Sequence, residues 1–536
     1  MAGLLFSLDH FGLPDWLMLL VSLGPLSALT IGVYNLFFHP LSHIPGPLWA
    51  RVSGIPSWYH AYHGDRHVWL WQLFQTYGDR IRPEPDTVLF CDPEAYADIY
   101  SVKSNVRRSR FYEALKRNKH ESTTLTTIDV AEHARRRRRL NLCFTEKSIR
   151  AASEFIVKHV DRWIDIIVDE IDGTTGWSAS MDFSDRVDGL IFDIMADLSF
   201  GKSFDIKEPG DSYLKATPHN IAEYMKFYYL MCRSPFLKLL LWLKPRGLDW
   251  LLELIAPPAA QQYTKFVQDS VTERIALQKL QADKPENERR QDLFYFVAEA
   301  RDEAGRPAYN ELELHAESSL LIVAGSDTTA VSLSALFFYL TGDPQRCQKL
   351  ASEIRSAFDR AEDIVYGPEL MRCTYLRACV DESLRLTPTS PSDLPREIRA
   401  GGMKIKGQYY PPGTIVGTVP WASSRDAKVY GDADVFRPER WILGEGATED
   451  ELKRAKAGFH PFLSGQYNCV GQNLAMAEVL ITVARTLHRL DVRRTPGSTL
   501  GGGKEARDKN QFQLVDAYVS FRKGPEVQFR KSARAV

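Results

Sequence analysis

The most apolar stretch of the chain runs from position 16 to position 38 and contains no charged residue. As an α-helix it would reach about 34 Å, enough to cross the hydrocarbon core of a bilayer. Asp9 and Asp15 precede it, and Arg51 is the first basic residue of the chain. Because basic residues favour the cytosolic side, the pattern predicts one spanning helix with the rest of the protein in the cytosol. A buried core helix is the alternative, and a cleaved signal peptide fits less well because no Lys or Arg precedes the stretch.

Directly after this stretch, Pro40, Pro45 and Pro47 forbid a continuing helix and stiffen the chain. Length alone would allow about three domains. We predict a single one because the chemical motifs described below are spread along the chain and make sense only if they meet at one site. The predicted organisation is an anchor at 1–38, a proline-rich hinge at 39–50 and one large domain at 51–536.

Apolar residues recur at intervals of three and four along most of the large domain, which predicts helices. The predicted helices cover 154–171, 183–200, 219–233, 259–283 and 310–340. Asn310 followed by Glu313 resembles a capping box at the start of the longest one. Short strands are predicted at 80–91, 401–407 and 414–419, with the last two in one sheet. The pattern therefore predicts a mainly α fold with small β-sheets.

Two further stretches, 236–244 and 250–255, are too apolar for an ordinary solvent-exposed loop. They fit a segment that dips into the membrane surface, or a lid over an apolar channel. Packing in the core is the alternative.

The composition adds mainly exclusions. The 536 residues carry a formal net charge of -1, so nothing in the overall charge indicates nucleic-acid binding. The seven cysteines are odd in number and have no C-x-x-C pairing, which argues against a disulfide framework and against a zinc site. A reducing environment facing the cytosol fits best.

One cysteine lies in a glycine-punctuated turn that leads into a helix-forming segment, in the sequence Phe-Leu-Ser-Gly-Gln-Tyr-Asn-Cys-Val-Gly at 462–471. The positive end of a helix dipole favours the thiolate form of Cys469, and flanking glycines let the backbone approach a flat group closely. We interpret Cys469 as the thiolate ligand of a haem iron. A buried structural cysteine is the alternative.

Three other groupings carry possible chemistry. An acid and three hydroxyls, in Ala-Gly-Ser-Asp-Thr-Thr at 324–329, interrupt the apolar longest helix, where burial is costly without a partner or a use. Glu382 and Arg385 are spaced to pair along one helix face. His133 and Arg137 are four apart on one face of a helix that contains five consecutive arginines, 135–139.

The cysteine turn resembles the haem-binding loop of the cytochrome P-450 family, Phe-x-x-Gly-x-Arg/His-x-Cys-x-Gly. It matches at Phe462, Gly465, Cys469 and Gly471. The resemblance implies haem b with Cys469 as axial ligand and Phe462 covering the sulfur. The basic position of the family motif is Tyr467 here, whose hydroxyl can donate a hydrogen bond in place of a salt bridge.

The other groupings match the family as well. The segment 324–329 matches its oxygen-activation motif, which implies that Asp327 and Thr328 are catalytic and deliver protons. His133, Arg137 and Arg396 match positions that bind the haem propionates. Glu382, Arg385 and Arg440 match a buried structural triad that braces the segment carrying Cys469. The implied fold is the cytochrome P-450 fold, with the haem between the longest helix and the cysteine loop.

The resemblance is greatest to microsomal members, and among them to fungal members acting in secondary metabolism. It implies a membrane-bound oxidoreductase that uses dioxygen to insert one oxygen atom into an apolar small molecule. The location implied is the endoplasmic reticulum membrane, crossed once, with the catalytic domain facing the cytosol. No Gly-x-Gly-x-x-Gly motif opens a nucleotide-binding unit, so a separate NADPH-cytochrome P-450 reductase is implied. The remaining arginines of 135–139 are candidates for docking it.

Two other classes of protein stay open from the sequence. A haem-thiolate isomerase or dehydratase would need no reductase, although such members tend to lose the acid-threonine pair that Asp327 and Thr328 retain. A non-catalytic membrane protein that binds haem or lipid would also keep the fold. Unlike a monooxygenase, an isomerase or dehydratase would turn over its substrate without reductase and NADPH. A non-catalytic protein would show no reductase-dependent NADPH consumption.

Overall fold

A computed structural model describes residues 24–116, 122–302, 304–503 and 508–533. Residues 16–23 of the predicted span lie outside the described part. The rest of the span forms helix α1, Gly24–Phe38, whose last turn is π-helical and ends at an extended His39. Within the described residues, one helix is long and apolar enough to cross a membrane, Glu311–Gly342, but 67% of its apolar window is buried inside the protein. That helix is therefore a core helix, and α1 is the shorter apolar helix at the N-terminal end.

Helices dominate the rest of the described chain. The first group consists of α2 (Leu48–Val52), α3 (Ile55–His63), α4 (Arg66–Tyr77), α5 (Pro93–Tyr100), α6 (Arg110–Ala114), α7 (Val130–Asn141), α8 (Glu146–Asp169), α9 (Phe183–Phe200), α10 (Thr217–Cys232), α11 (Leu237–Leu243) and α12 (Leu248–Ile255). The second group consists of α13 (Pro258–Leu280), α14 (Leu293–Glu299), α15 (Glu311–Gly342), α16 (Pro344–Ala357), α17 (Pro368–Met371), α18 (Thr374–Leu386), α19 (Pro420–Ser423), α20 (Ala427–Tyr430), α21 (Glu449–Gly458) and α22 (Gln472–Arg489).

The strands are short and form four small sheets. They are β1 (Arg80–Glu84), β2 (Thr87–Phe90), β3 (Val106–Arg108), β4 (Met181–Asp182), β5 (Arg396–Ile398), β6 (Met403–Ile405), β7 (Gln408–Tyr410), β8 (Ile415–Thr418), β9 (Leu490–Arg494), β10 (Val515–Ala517), β11 (Val519–Phe521) and β12 (Glu526–Lys531). The largest sheet has the order β1-β2-β8-β5-β3, in which only β2 and β8 are parallel. The others are β4-β12-β9, β10-β11 and β6-β7. A mainly α fold with small sheets confirms the prediction.

One detail of the predicted strands is wrong. The stretches 401–407 and 414–419 do not share a sheet, because β6 pairs with β7 whereas β8 belongs to the five-stranded sheet. Lys406 and Gly407 both have positive φ, 50° and 75°, which is the backbone of a tight hairpin turn. The chain therefore returns on itself before it reaches β8.

Helix α15 forms the centre of the core. Its N-terminus has the predicted capping box: the Asn310 side chain accepts from the Glu313 N–H, and the Glu313 carboxylate accepts from the Asn310 N–H. Helix α9 packs along it so closely that a Cβ at Gly325 would lie 2.4 Å from the Met195 side chain. Gly325 therefore serves helix packing, and α15 continues through it without a break.

The two apolar stretches after α10 lie on the surface. Helices α11 and α12 contain no buried residue among their described positions. Phe236, Trp242, Trp250 and Leu254 are each more than half exposed, at 63%, 55%, 68% and 62%. Leu237 and Leu241 nevertheless pack against a buried cluster, so core packing accounts for part of the first stretch. Contact of the exposed side chains with a membrane surface, or a lid, remains the prediction.

Candidate functional site

The cysteine turn owes its shape to Gly465. This residue has φ +69°, and a Cβ there would lie 2.1 Å from the Tyr100 carbonyl oxygen, so any other residue would require the backbone to move. Residues Gly465–Tyr467 then form a single 3-10 turn before α22 begins at Gln472. The Cys469 N–H donates to the Phe462 carbonyl oxygen at 2.8 Å, which holds the two ends of the turn together.

The Cys469 thiol is open, whereas the other six cysteines are buried or half-buried. It lies at a recess of about 370 Å³ whose other lining residues include Arg137, Asn141 and Asn473. Desolvation by the surrounding protein raises the pKa of the thiol, and the Gly471 N–H and the Arg137 guanidinium act in the opposite direction. An open thiol on a rigid turn is available as a ligand.

Helix α15 has a matching open patch. Ala324 is exposed and Thr328 is half-buried, although residues 329–340 of the same helix are all buried. The two are four residues apart and therefore share one face, where Thr328 Oγ1 donates to the Ala324 carbonyl oxygen at 2.7 Å. A flat group lying against this face would cover both residues.

Asp327, next to that patch, belongs to a network that the sequence did not reveal. Its Oδ1 lies 3.4 Å from Arg522 Nη1. The same guanidinium also pairs with Asp188 of α9 and donates from Nε to Ser334 Oγ at 3.1 Å. Burial raises the pKa of Asp327 to about 7, with Arg522 lowering it and Asp188 raising it. Asp327 therefore exchanges its proton near neutral pH.

A cluster of buried cationic and aromatic side chains surrounds Tyr467. The His133 ring centroid lies 4.6 Å from the Tyr467 ring centroid, and the Cζ atoms of Arg108 and Arg396 each lie 5.0 Å from the same centroid. Burial lowers the pKa of His133 to about 3, reinforced by Arg108, Arg137 and Arg396. The cluster is a strongly positive buried site.

The cluster has unused hydrogen-bonding capacity. Among the described residues, His133 Nε2, Arg108 Nε, Arg396 Nε and Tyr467 Oη are buried without a partner. Arg108 donates to the Thr124 carbonyl oxygen, and Arg396 donates to Tyr112 Oη and to the Leu394 and Pro395 carbonyl oxygens, so the bonds that these two arginines make within the described residues are to neutral groups. Buried cations are costly unless a counter-charge meets them. The cluster therefore fits the two carboxylates of a haem, and the open thiol and the open face of α15 fit its iron and its ring.

Arg108 is a member of this cluster that the sequence analysis missed. It lies on β3 directly opposite Arg396 of β5 in the antiparallel register. Cross-strand neighbours bring their side chains within about 5.5 Å of each other, yet 288 positions separate them in the numbering. No local sequence signal marks that pairing.

Arg137, in contrast, does not lie in the cluster. It donates to the Asn468 carbonyl oxygen, to Asn468 Oδ1 at 2.7 Å and to Asn141 Oδ1 at 2.8 Å. Its guanidinium is thereby directed to the cysteine turn, and its predicted contact with a propionate remains a prediction.

The arginine run has two kinds of member. Arg136 is buried and forms ion pairs with Glu132, Glu313 and Glu317, so it ties α7 to α15. Arg135 and Arg138 are exposed. Only part of the run is therefore available to a partner protein.

The predicted triad is brought together by α18 and the segment after α20. Glu382 accepts from Arg385 at 2.9 Å and from Arg440 at 2.9 Å, and also from Trp441 Nε1 at 3.0 Å. Burial raises the pKa of Glu382, but the guanidinium of Arg385 and then that of Arg440 outweigh it and hold the pKa below its usual value. The arrangement is a satisfied buried ion cluster, and its bracing of the cysteine turn remains a prediction.

Two phenylalanines from distant segments are buried among other aromatic rings. Phe111 packs against Tyr229 and Tyr518, with ring centroids 6.2 and 5.4 Å away. Phe512 packs against Phe338 in the main core, with ring centroids 5.2 Å apart.

Asp516, which the sequence did not single out, connects three of the segments near this region. It accepts from Tyr229 Oη of α10 at 2.8 Å and from Ser392 Oγ at 2.5 Å. The C-terminal hairpin, α10 and the loop after α18 therefore meet at one buried carboxylate.

Comparison with known proteins agrees with this geometry. The family model described as Cytochrome P450 matches residues 44–501. Cytochrome P450 monooxygenase poxM of Penicillium oxalicum is 33% identical over 505 residues, covering 94% of this chain and 92% of the relative. Cytochrome P450 monooxygenase AKT7 of Alternaria alternata is 31% identical, covering 97% and 99%, and Cytochrome P450 monooxygenase fscF of Fusarium equiseti is 30% identical, covering 96% of each.

The family match spans most of the chain, and the relatives are similar along nearly their whole length. Their printed names agree on one activity. The open thiol, the open face of α15 and the buried cations that lack a carboxylate partner among the described residues are the features that a haem requires. This chain belongs to the cytochrome P450 family and is a haem-dependent monooxygenase.

Proposed function

We propose that this protein hydroxylates or epoxidises an apolar small molecule in secondary metabolite biosynthesis, of the terpenoid, polyketide or alkaloid kind. The observation that carries the proposal is that the fold presents both an open Cys469 thiol and an open face of α15. Next to that face lies Asp327, whose pKa burial raises to about 7. The fungal monooxygenases that resemble the chain support the reaction class.

Two groups of residues would hold the haem. Cys469 Sγ would bind its iron, and Phe462, Gly465 and Gly471 would shape the turn around that sulfur. His133, Arg108 and Arg396 would bind the propionates, and Tyr467 Oη would donate to them where the family has a basic residue. When bound, the haem supplies the thiolate-supported oxidising centre that splits dioxygen and transfers one oxygen atom.

Proton delivery is the task of Asp327 and Thr328. Burial raises the pKa of Asp327 to about 7, so its carboxyl, beside Arg522, would both take up and release a proton near neutral pH. Thr328 Oγ1, on the open face of α15, would receive the proton, and its hydroxyl would turn from the Ala324 carbonyl oxygen to donate toward the reaction centre. The guanidinium of Arg522 orients the carboxyl and keeps its pKa from rising further.

The substrate contacts come from aromatic side chains. Phe111, Tyr229 and Tyr518 form a packed aromatic group, with Tyr112 beside them. Phe111, Tyr112 and Tyr229 are themselves buried, so this group would back the substrate site as an apolar wall. An apolar substrate fits this composition.

The protein is proposed to be anchored in the endoplasmic reticulum membrane by residues 1–38, with the span at 16–38, the hinge at 39–50 and the catalytic domain at 51–536 in the cytosol. The exposed aromatic side chains Trp242 and Trp250 of α11 and α12 form a second apolar surface. Aromatic residues favour the membrane interface, which supports a second contact with the bilayer.

Electrons are proposed to come from a separate NADPH-cytochrome P450 reductase. Arg138 is exposed, and so is Arg135, which bonds to Glu132. Both lie within two positions of Arg137, whose guanidinium bonds to Asn468 of the cysteine turn. They form a basic surface suited to an acidic partner.

The test uses the full-length protein in microsomes with the reductase, NADPH and ¹⁸O₂, incubated with extracts rich in apolar metabolites. We expect a product that carries one ¹⁸O atom and forms only with NADPH. Cys469→Ala should remove both the product and the red-shifted Soret band of the ferrous carbon monoxide complex, whereas Cys347→Ala, a buried cysteine elsewhere, should keep both. Turnover without reductase and NADPH would instead indicate an isomerase or a dehydratase.

A further inference from the structure

A carboxyl group without a basic partner lies in the middle of α22. Glu478 is 1% exposed and is flanked by Ala477 and Val479, which are also buried. Its Oε2 accepts from Thr329 Oγ1 of α15 at 2.8 Å. Among the described residues no Lys, Arg or His forms an ion pair with it, and Thr329 is the one group that acts on its charge.

A second buried glutamate, Glu382, shows which partners a buried carboxylate normally has. Glu382 is equally buried and accepts from two guanidinium groups, an indole N–H and a backbone N–H. A buried carboxylate costs several kcal/mol unless such partners meet it, whereas a neutral carboxylic acid needs only ordinary hydrogen bonds. The bond that Glu478 accepts from the Thr329 hydroxyl is the kind of ordinary hydrogen bond that a neutral carboxylic acid needs. Burial correspondingly raises the pKa of Glu478 to about 8, against a lowering effect of Thr329.

Glu478 belongs to a polar seam between α15 and α22. On α15, Ser326 lies one turn before Thr329, and on α22, Thr482 lies one turn after Glu478, so each pair shares a helix face. Ser326 Oγ, Glu478 Oε1 and Thr482 Oγ1 are all buried without a partner in the described part of the chain. Buried polar atoms of this kind are usually met by ordered water, and a protonated Oε1 could donate to one.

The seam also relates the open face of α15 to the cysteine turn. Thr329 directly follows Thr328, and successive residues of a helix point about 100° apart. Thr328 therefore faces the open side of α15 while Thr329 faces α22. Helix α22 begins three residues after Cys469. The bond between Thr329 and Glu478 thus joins the helix that carries Asp327 to the helix that continues from the cysteine turn.

We propose that Glu478 is a positioning residue: a neutral carboxylic acid that, through Thr329, fixes the Asp327–Thr328 turn relative to the Cys469 turn. The part that concerns proton delivery rests on the proposed function. The neutral state of Glu478 and its bond to Thr329 are independent of it.

The first test is infrared difference spectroscopy of the haem-loaded wild type and Glu478→Gln at pH 7, in H₂O and D₂O. The wild type should show the carbonyl band of a protonated carboxylic acid that shifts in D₂O and is absent in Glu478→Gln. Thr329→Val should move this band to higher frequency, because it removes the hydrogen bond to the carbonyl. A wild type without the band would overturn the neutral-acid assignment, whatever the activity of the enzyme.

The second test measures the share of NADPH electrons that reach product. Glu478→Leu and Thr329→Val should lower it between about tenfold and a hundredfold, the cost of misplacing reacting groups by about 1 Å. Glu478→Gln and Thr329→Ser, which keep the hydrogen bond, should restore most of it. Thr341→Val is the matched control. Thr341 is a buried residue of the same helix, and its hydroxyl donates to the Phe337 and Phe338 carbonyl oxygens of that helix.

A merely structural role would give a different pattern. If Glu478→Leu, Thr329→Val and Thr341→Val lower thermal stability alike and leave coupling unchanged, the positioning role is wrong. If the wild type shows the infrared band but turns over no substrate, the readout is the low-spin ferric electron paramagnetic resonance signal. Glu478→Leu should broaden this signal, and Thr341→Val should leave it unchanged. A sharp signal in Glu478→Leu would overturn the positioning role, and the missing turnover would count against the proposed function alone.

Discussion

Asp327 Oδ1 lies 3.4 Å from Arg522 Nη1, although 195 positions separate the two residues. Arg522 also pairs with Asp188, so one guanidinium serves an acid of α15 and an acid of α9. Because the positive charge is shared, it only partly offsets the burial of Asp327, whose pKa is raised to about 7. The pair therefore sets the pH at which the carboxyl holds its proton.

Arg522→Gln should raise the pKa of Asp327 further, since it removes the group that lowers it. If the protonated carboxyl delivers the proton, the alkaline fall in product formation should move to higher pH by about one unit or more, the usual effect of one nearby charge. The pH profile of the coupled reaction measures this. Arg530→Gln, an exposed arginine of the same terminal region, should leave the profile in place. A shift to lower pH would contradict the assignment.

Thr328→Ala should keep haem binding and much of the NADPH consumption, but divert electrons from product to hydrogen peroxide, because the hydroxyl that places the proton is lost. Asp327→Asn should instead slow NADPH consumption and product formation together, by about tenfold to a hundredfold, as for a lost general acid. Parallel measurement of NADPH, peroxide and product separates the two. Unchanged coupling in Thr328→Ala would reduce this motif to a packing role and favour the isomerase alternative.

Arg108→Leu should weaken haem retention, because the propionates lose a charged hydrogen bond worth about 1.5 to 3 kcal/mol. Haem transfer to an excess of apomyoglobin should therefore become about tenfold faster or more. Arg110→Leu, an exposed arginine two positions later, is the control and should transfer haem at the wild-type rate. Equal rates in the two variants would remove Arg108 from the haem site.

Glu382→Gln should destabilise the protein by about 3 to 5 kcal/mol, because Arg385 and Arg440 would remain buried without their counter-charge. Since the folded-state pKa of Glu382 lies below its usual value, this stabilisation is present at neutral pH and is lost as the pH falls through the folded pKa. Thermal inactivation at pH 7 measures the loss. Glu369→Gln, whose side chain is 73% exposed, should have little effect.

Deletion of residues 1–38 should release the spanning anchor and leave residual membrane affinity, because Trp242 and Trp250 remain exposed on α11 and α12. Flotation of the truncated protein with liposomes measures that affinity. The double variant Trp242→Ser and Trp250→Ser on the truncated chain should float much less. Complete solubility of the truncated chain without detergent would remove the second membrane contact and leave the anchor unaffected.

The amino-acid sequence by itself determined the features that depend on neighbouring residues. The turn around Cys469, the capping box of Asn310 and Glu313, and the acid-hydroxyl segment inside α15 were all predictable, because turn geometry, capping and helical period act over a few positions. Four of the five predicted helices correspond within a few residues to α9, α10, α13 and α15, whereas α8 begins eight residues before its predicted start.

Only the tertiary structure decided which side chains meet across the fold. Strand pairing placed Arg108 beside Arg396, and the C-terminal segment brought Arg522 to Asp327. The packing of α22 on α15 brought Glu478 to its partner Thr329. It also turned Arg136 inward and placed Phe512 in the core. A side chain's burial and its partners depend on contacts between distant segments. A helical or strand pattern specifies only which face of the element is apolar, and it does not specify which other element lies against that face.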